Sequence, residues 1–196
     1  YLLPRGILRE PVSALLRADA IIMTRCDPKG EPVPDISRIS RALPKILHDR
    51  PVFRTFHKPF IRKIDDGNFG FKGLSETTVS EAFDFFAGKR ILAFSGIAHN
   101  EYFRQTLDSF KCDIADFYPF QDHHPYARSD LKRISKAADQ LHADLLVTTE
   151  KDYVRLPEFD WPVPLAIIGV EISFLDELSF TSYLTEKITA LERSKE

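Results

Sequence analysis

The sequence predicts an α/β protein built on a mainly parallel sheet flanked by helices. Two observations carry that expectation. Short apolar runs at 90–94, 112–118 and 144–147 alternate with longer segments near 100–110 and 129–142, where apolar residues return every three or four positions. Strands alternating with helices of this length are βαβ units, which pair their strands in parallel. Each of the three runs also ends in a polar cluster: Ser95-Gly96-Ile97-Ala98, Phe120-Gln121-Asp122-His123-His124-Pro125-Tyr126, and Thr148-Thr149-Glu150-Lys151-Asp152. In a parallel sheet successive strand exits lie side by side at one edge, so the three clusters should surround one crevice.

The remaining elements follow in chain order. Arg9-Glu10-Pro11 precedes an apolar stretch at 12–17, and a proline at a first helical position marks a helix start. Ala20-Ile21-Ile22-Met23-Thr24 has the character of a short buried strand, and the Pro- and Gly-rich stretch at 26–35 of a loop. Ile36, Ile39, Leu43, Ile46 and Leu47 keep helical spacing, with Pro44 dividing the helix. The runs at 52–56 and 60–64 alternate as strands on either side of His57-Lys58-Pro59 and form an extended connector. The polar stretch at 65–78, with Gly67, Gly70 and Gly73, is the expected domain boundary. A late strand at 164–170 and a closing helix at 178–191 complete the chain.

Composition narrows the functional class. A formal charge of −2 with interspersed signs provides no basic field for nucleic acid. Cys26 and Cys112 form no metal or redox spacing and are expected to be ordinary thiols of a reduced compartment. No apolar run approaches the ~20 residues that span a bilayer. The opening Tyr1-Leu2-Leu3-Pro4-Arg5-Gly6 has no signal-peptide pattern and resembles the exit of a strand already under way, so the chain is expected to be a fragment.

Three chemistries are open at the strand exits. Ser95 and Gly96 can present backbone N–H groups to an anion or simply turn the chain. Asp122, His123 and His124 can ligate a metal, move a proton or cap a loop; adjacent side chains diverge, which suits one acid/base imidazole better than a compact metal cage. Thr149 can cap the following helix, whereas Lys151 is a cation at a helix start that calls for an anion or an acid nearby. Arg9 and Glu10 pose the same choice between a solvated helix start and a phosphate clamp with a metal-facing carboxylate. There is no GxxxxGK[ST] loop.

Taken in order, the motifs resemble those of the tetraacyldisaccharide 4'-kinase family. Leu2-Leu3-Pro4-Arg5-Gly6-Ile7-Leu8-Arg9-Glu10 is similar to its LPxGxLRE segment and Arg17-Ala18-Asp19 to its RAD. Phe94-Ser95-Gly96-Ile97-Ala98 is similar to FSGIA, Phe120-Gln121-Asp122-His123 to FxDH, and Thr148-Thr149-Glu150-Lys151-Asp152 to TTEKD, followed by Val154-Arg155-Leu156. The resemblance implies a lipid kinase that moves the γ-phosphate of ATP, with Mg²⁺, to the 4'-hydroxyl of a tetraacyldisaccharide 1-phosphate in lipid A biosynthesis. It implies work at the cytoplasmic face of the bacterial inner membrane, with peripheral attachment through a part that precedes this chain.

On that resemblance, His123 is catalytic with Asp122 beside it, supporting an Asp base that lies upstream. Arg9, Ser95, Gly96, Thr149 and Lys151 face phosphate or substrate, and Glu10 faces the metal. Residues 1–50 become the tail end of an N-terminal P-loop kinase domain, 51–78 a β-stranded connector, and 79–196 a Rossmann-like domain; the piece alone is expected to be inactive. Leu3, Ile21, Ile22 and Met23 should then be apolar residues short of packing partners. Two other readings stand beside this one: a DHH-type metal-dependent phosphoesterase, from the literal Asp122-His123-His124, and a non-catalytic Rossmann-like binding domain.

Overall fold

The computed structural model describes residues 9–27, 50–65 and 79–193. The opening turn with Leu3, the divided helix at 36–47 and nearly all of the expected boundary at 65–78 lie outside the described residues. The chain divides into two compact units, 1–58 with 172–196, and 59–171.

In the second unit the alternation expected from the sequence is present. After α1 (Val79–Phe86) come β3 (Arg90–Ser95), α2 (Asn100–Ser109), β4 (Asp113–Pro119), α3 (Arg128–Gln140), β5 (Leu145–Thr149) and the one-turn α4 (Glu150–Tyr153). Strand β6 (Leu165–Phe174) follows. β3 pairs in parallel with β4 on one side and β5 on the other, and β5 pairs in parallel with β6. Period-two alternation sends Ile91 and Ala93 to one face and Leu92 and Phe94 to the other, and all four are fully buried. Helices α1 and α2 cover the first face through Phe86, Phe103, Leu107 and Phe110; α3 covers the second through Leu131 and Ile134. A strand buried on both faces has a near-continuous apolar sequence, which is why β3 and β5 were visible in the sequence.

Two helix ends lack the expected glycine. Lys111 and His142 follow the last residues of α2 and α3 with φ of 55° and 51°. At α3 the amide of Ala143 reaches Ala138 O at 2.9 Å and that of His142 reaches Asp139 O at 3.2 Å, the paired bonds of a Schellman motif.

The first unit departs from expectation in three places. Val12–Arg17 is a 3₁₀ helix, not an α-helix, with no side-chain cap at Pro11. Its bonds close three residues back, Ala14 N–H on Pro11 O at 2.9 Å and Ala18 N–H on Leu15 O at 3.1 Å, as in the short 3₁₀ pieces that connect larger elements. β1 (Ile21–Met23) pairs in parallel with β2 only at 52–54, and Ile22 is 47% exposed, so this strand is not buried. Among the described residues its outer edge has no partner. The two connector runs form a single strand, β2 (Val52–Asp65), that passes through Pro59. β1 has ended by then, so the missing proline N–H removes no described ladder bond on that side.

The hydrogen-bonded strand order is β1-β2-β6-β5-β3-β4. Leu175 N–H donates to Arg54 O at 3.0 Å, and a Cβ at Gly169 would run into the Phe60 ring, so β2 runs antiparallel to β6 and the sheet is mixed. The closing helix α5 (Glu177–Arg193) is held through an aromatic cluster of Phe53, Phe174, Phe180 and Tyr183, and through Lys187 on Asp19 at 2.9 Å.

Phe86 stacks on Phe110 with centroids 4.8 Å apart, both fully buried. Phe86→Ala in the full-length protein is expected to cost roughly 3–5 kcal/mol by urea unfolding, because the pocket between α1 and α2 cannot collapse around a missing ring.

Candidate functional site

The carboxyl ends of β3, β4 and β5 meet. Phe120 N–H donates to Ser95 O at 2.8 Å and His123 N–H to Gly96 O at 3.0 Å. Gly96 N–H donates to Asp152 Oδ1 at 3.0 Å. Ser95, Gly96, Asp122, His123, Thr149 and Lys151 are thereby brought to one edge of the second unit, as parallel strand exits require.

The centre of this edge is Asp152, which is 0% exposed. Its Oδ1 accepts from Gly96 N–H, from Tyr126 O–H at 2.9 Å and from Arg155 Nη2 at 2.7 Å; its Oδ2 accepts from Thr149 O–H at 2.6 Å. Thr149 is also the N-cap of α4, accepting from Asp152 N–H at 3.1 Å. Burial, followed by the Asp152 carboxylate, pushes the Tyr126 phenol far above its ordinary range, so Tyr126 remains a donor.

The turn after β3 therefore does bind an anion, and the anion is the protein's own. Gly96 N–H, expected to face a phosphate, is spent on Asp152, and the buried Ser95 hydroxyl is spent on Asn100 Oδ1. Position 96 is tight for any side chain. A Cβ there would meet Gln121 O at 3.0 Å, His124 Cβ at 3.1 Å and Tyr126 Oη at 3.2 Å.

The two histidines separate, as adjacent side chains do. His124 is tucked in, 25% exposed, with Nε2 2.9 Å from Asp130 Oδ2 and its ring stacked on Phe120. Burial alone would raise Asp130. The His124 bond and the Ala127 N–H outweigh it and hold the carboxyl below the usual range. His123 is the opposite, 84% exposed, with Nε2 3.9 Å from Asp122 Oδ2, and its φ is 58°. It stands at the strand edge with an open imidazole.

Lys151 is exposed on the first turn of α4. Arg9 and Glu10 belong to the first unit and line a shallow depression with Pro11, Ser13, Ala14 and Arg17, where Glu10 pairs with the Arg17 guanidinium. Among the described residues no group of three His, Cys, Asp or Glu side chains could hold a metal ion.

Sequence reasoning placed Asp152 within a capping motif and gave no role to Tyr126 or Arg155. The available signal was Thr149 followed at three-residue steps by Asp152 and Arg155, which puts the cap, the acid and a cation on one face of a short helix.

Fold and site together define an α/β protein with a polar ligand edge at the carboxyl ends of parallel strands. Residues 1–189 match the family model described as LpxK, tetraacyldisaccharide-1-P 4'-kinase. The tetraacyldisaccharide 4'-kinase of Syntrophus aciditrophicus (strain SB) is 34% identical over 192 residues, covering 95% of this chain and 48% of the relative. That of Desulfatibacillum aliphaticivorans is 35% identical over 192 residues, covering 96% and 48%. A crystal structure of "apo" form LpxK from Aquifex aeolicus in complex with ATP superposes with a TM-score of 0.54 at 21% identity, covering 94% of this chain and 47% of that one, and shows the same fold. The chain belongs to the tetraacyldisaccharide-1-P 4'-kinase family, and it spans about half the length of the curated relatives it matches.

Two outcomes follow from the geometry in the full-length protein. Gly96→Ala is expected to lower stability by about 1–3 kcal/mol, read as a shift of the denaturation midpoint, since the new methyl must push the 121–126 turn outward. Asp130 has a folded pKa below its unfolded value of ~3.9, so its contribution is fully present above about pH 4 and is lost as pH falls through the folded value. Asp130→Asn should therefore cost roughly 1 kcal/mol at neutral pH, and the gap to wild type should close in acid.

Proposed function

We propose that the protein containing these residues is a lipid kinase that transfers the γ-phosphate of ATP to the 4'-hydroxyl of tetraacyldisaccharide 1-phosphate in lipid A biosynthesis. The observation that supports this reading most is the family match over residues 1–189, within which His123 stands exposed at the joint exit of three strands. Phosphoryl transfer depends on placing the acceptor hydroxyl, neutralising the phosphates and removing one proton. His123, with Asp122 at its side, is assigned to assist the group that takes the hydroxyl proton. Lys151 and Arg9 are assigned to the phosphates. Gly96 and Thr149 are assigned to holding the Asp152 carboxylate rather than to phosphate, and Ser95 to holding Asn100.

Mg²⁺ typically takes one or two carboxylates together with substrate phosphates and waters. Glu10, exposed and paired with Arg17, fits one such contribution, with the other ligands supplied by the nucleotide and by groups outside the described residues. No helix among the described residues is long and apolar enough to cross a membrane, and the proposed attachment to the inner membrane is peripheral. As the sequence contains no GxxxxGK[ST] loop, residues 1–196 are proposed not to turn over ATP by themselves. The phosphoesterase reading loses its second imidazole to the His124–Asp130 pair.

In the full-length protein, assayed with tetraacyldisaccharide 1-phosphate and Mg-ATP, His123→Ala is expected to lower kcat by ~10²-fold or more with little change in KM, as loss of proton-transfer assistance does. His124→Ala should lower the melting temperature and affect kcat much less. Equal kcat losses, or a larger loss at His124, overturn the assignment.

A further inference from the structure

We propose that Arg155, locked in place by the buried Asp152, is a positioning residue for His123; this rests on the catalytic reading of His123 given above. The imidazole of His123 has almost nothing to hold it. It is 84% exposed, and its one charged partner among the described residues, Asp122, is 3.9 Å away, beyond hydrogen-bond distance. Its place is therefore set by its main chain. That main chain is in the left-handed region, φ 58°, which is unfavourable for a non-glycine residue and needs support from its surroundings.

Backbone bonds from His123 N–H to Gly96 O and from His124 N–H to Gln121 O at 3.1 Å give part of that support, and one guanidinium gives the side-chain part. Arg155 Nη2 donates to Gly96 O at 3.0 Å, the same carbonyl that receives His123 N–H, and Nη1 lies 3.5 Å from His124 O, the carbonyl of the next residue. Nη2 is anchored on Asp152 Oδ1 at 2.7 Å, and Nε on Lys151 O at 2.9 Å. Asp152 is itself fixed by Gly96 N–H, Tyr126 and Thr149. The planar fork thus reaches, from a buried anchor, both the carbonyl that receives His123 N–H and the carbonyl of the residue after it. A lysine could keep the charge beside Asp152, but a single ammonium cannot span the same set of acceptors.

The test is a double-mutant cycle on kcat in the full-length protein, with melting curves as the folding control. Arg155→Lys is expected to lower kcat about tenfold, with KM for ATP and for the disaccharide within about twofold, because a displaced catalytic group costs rate without costing ground-state binding. In the His123→Ala background the same change is expected to cost less than about twofold. A tenfold loss in both backgrounds, an unchanged kcat in the first, or a loss confined to KM overturns the positioning role while leaving the His123 assignment intact. An unimpaired His123→Ala enzyme overturns both. Where Arg155→Lys does not fold, Tyr126→Phe takes its place in the cycle. It removes one donor from Asp152 without altering charge, and its kcat loss must likewise vanish when His123 is absent.

Discussion

A carboxylate with no exposure to solvent is the constraint on which this strand edge depends. An ionised acid taken out of water is tolerated only when donors replace the lost hydration, and removing one partner costs far more than the pair adds. Asp152 draws its donors from the turn after β3, the turn after β4, the last residue of β5 and the end of α4. The demand of one buried charge therefore fixes three loops that the sheet alone would only bring near each other. Among the described residues no buried side-chain polar atom is left without a partner, so the cost of burying that charge is met.

This arrangement changes the meaning of the glycine turn. An N–H at the start of a helix after a parallel strand is a common cradle for phosphate. Here the cradle is filled from within, and solvent meets instead His123, Asp122 and Lys151. The division suits a reaction in which placement matters more than covalent chemistry. Rigid groups sit below, and the groups able to meet a substrate stand on top.

How much of this was legible in the sequence varied with the kind of interaction involved. β3 and β5 could be read because strands buried on both faces are apolar throughout. The amphipathic α2 and α3 could be read because each covers only one face. Their ends were harder, since Lys111 and His142 adopt a conformation usually signalled by glycine. β2 was divided at Pro59 on paper because local chemistry forbids proline in a paired strand, and only the early end of β1 removes the objection. The exposure of Ile22 was legible only through the resemblance, which leaves that strand short of packing partners, and the role of Asp152 depends on what lies across space, which residue type and spacing do not encode. His123 and His124 were separable from sequence because side-chain divergence in adjacent residues is local geometry.

The order of the donors along the chain also has a consequence for biosynthesis. Gly96 and the His123 turn leave the ribosome before Asp152 and Arg155, and at typical translation rates the interval is on the order of seconds. During that interval β3, α2 and β4 can form while the turn that carries His123 is tied only by backbone bonds to Ser95 O and Gly96 O, without the Asp152 anchor or the Arg155 clamp. Nascent chains halted ahead of residue 152 would hold that turn by backbone bonds alone. Completion of the strand edge thus waits on the emergence of one acid and one arginine.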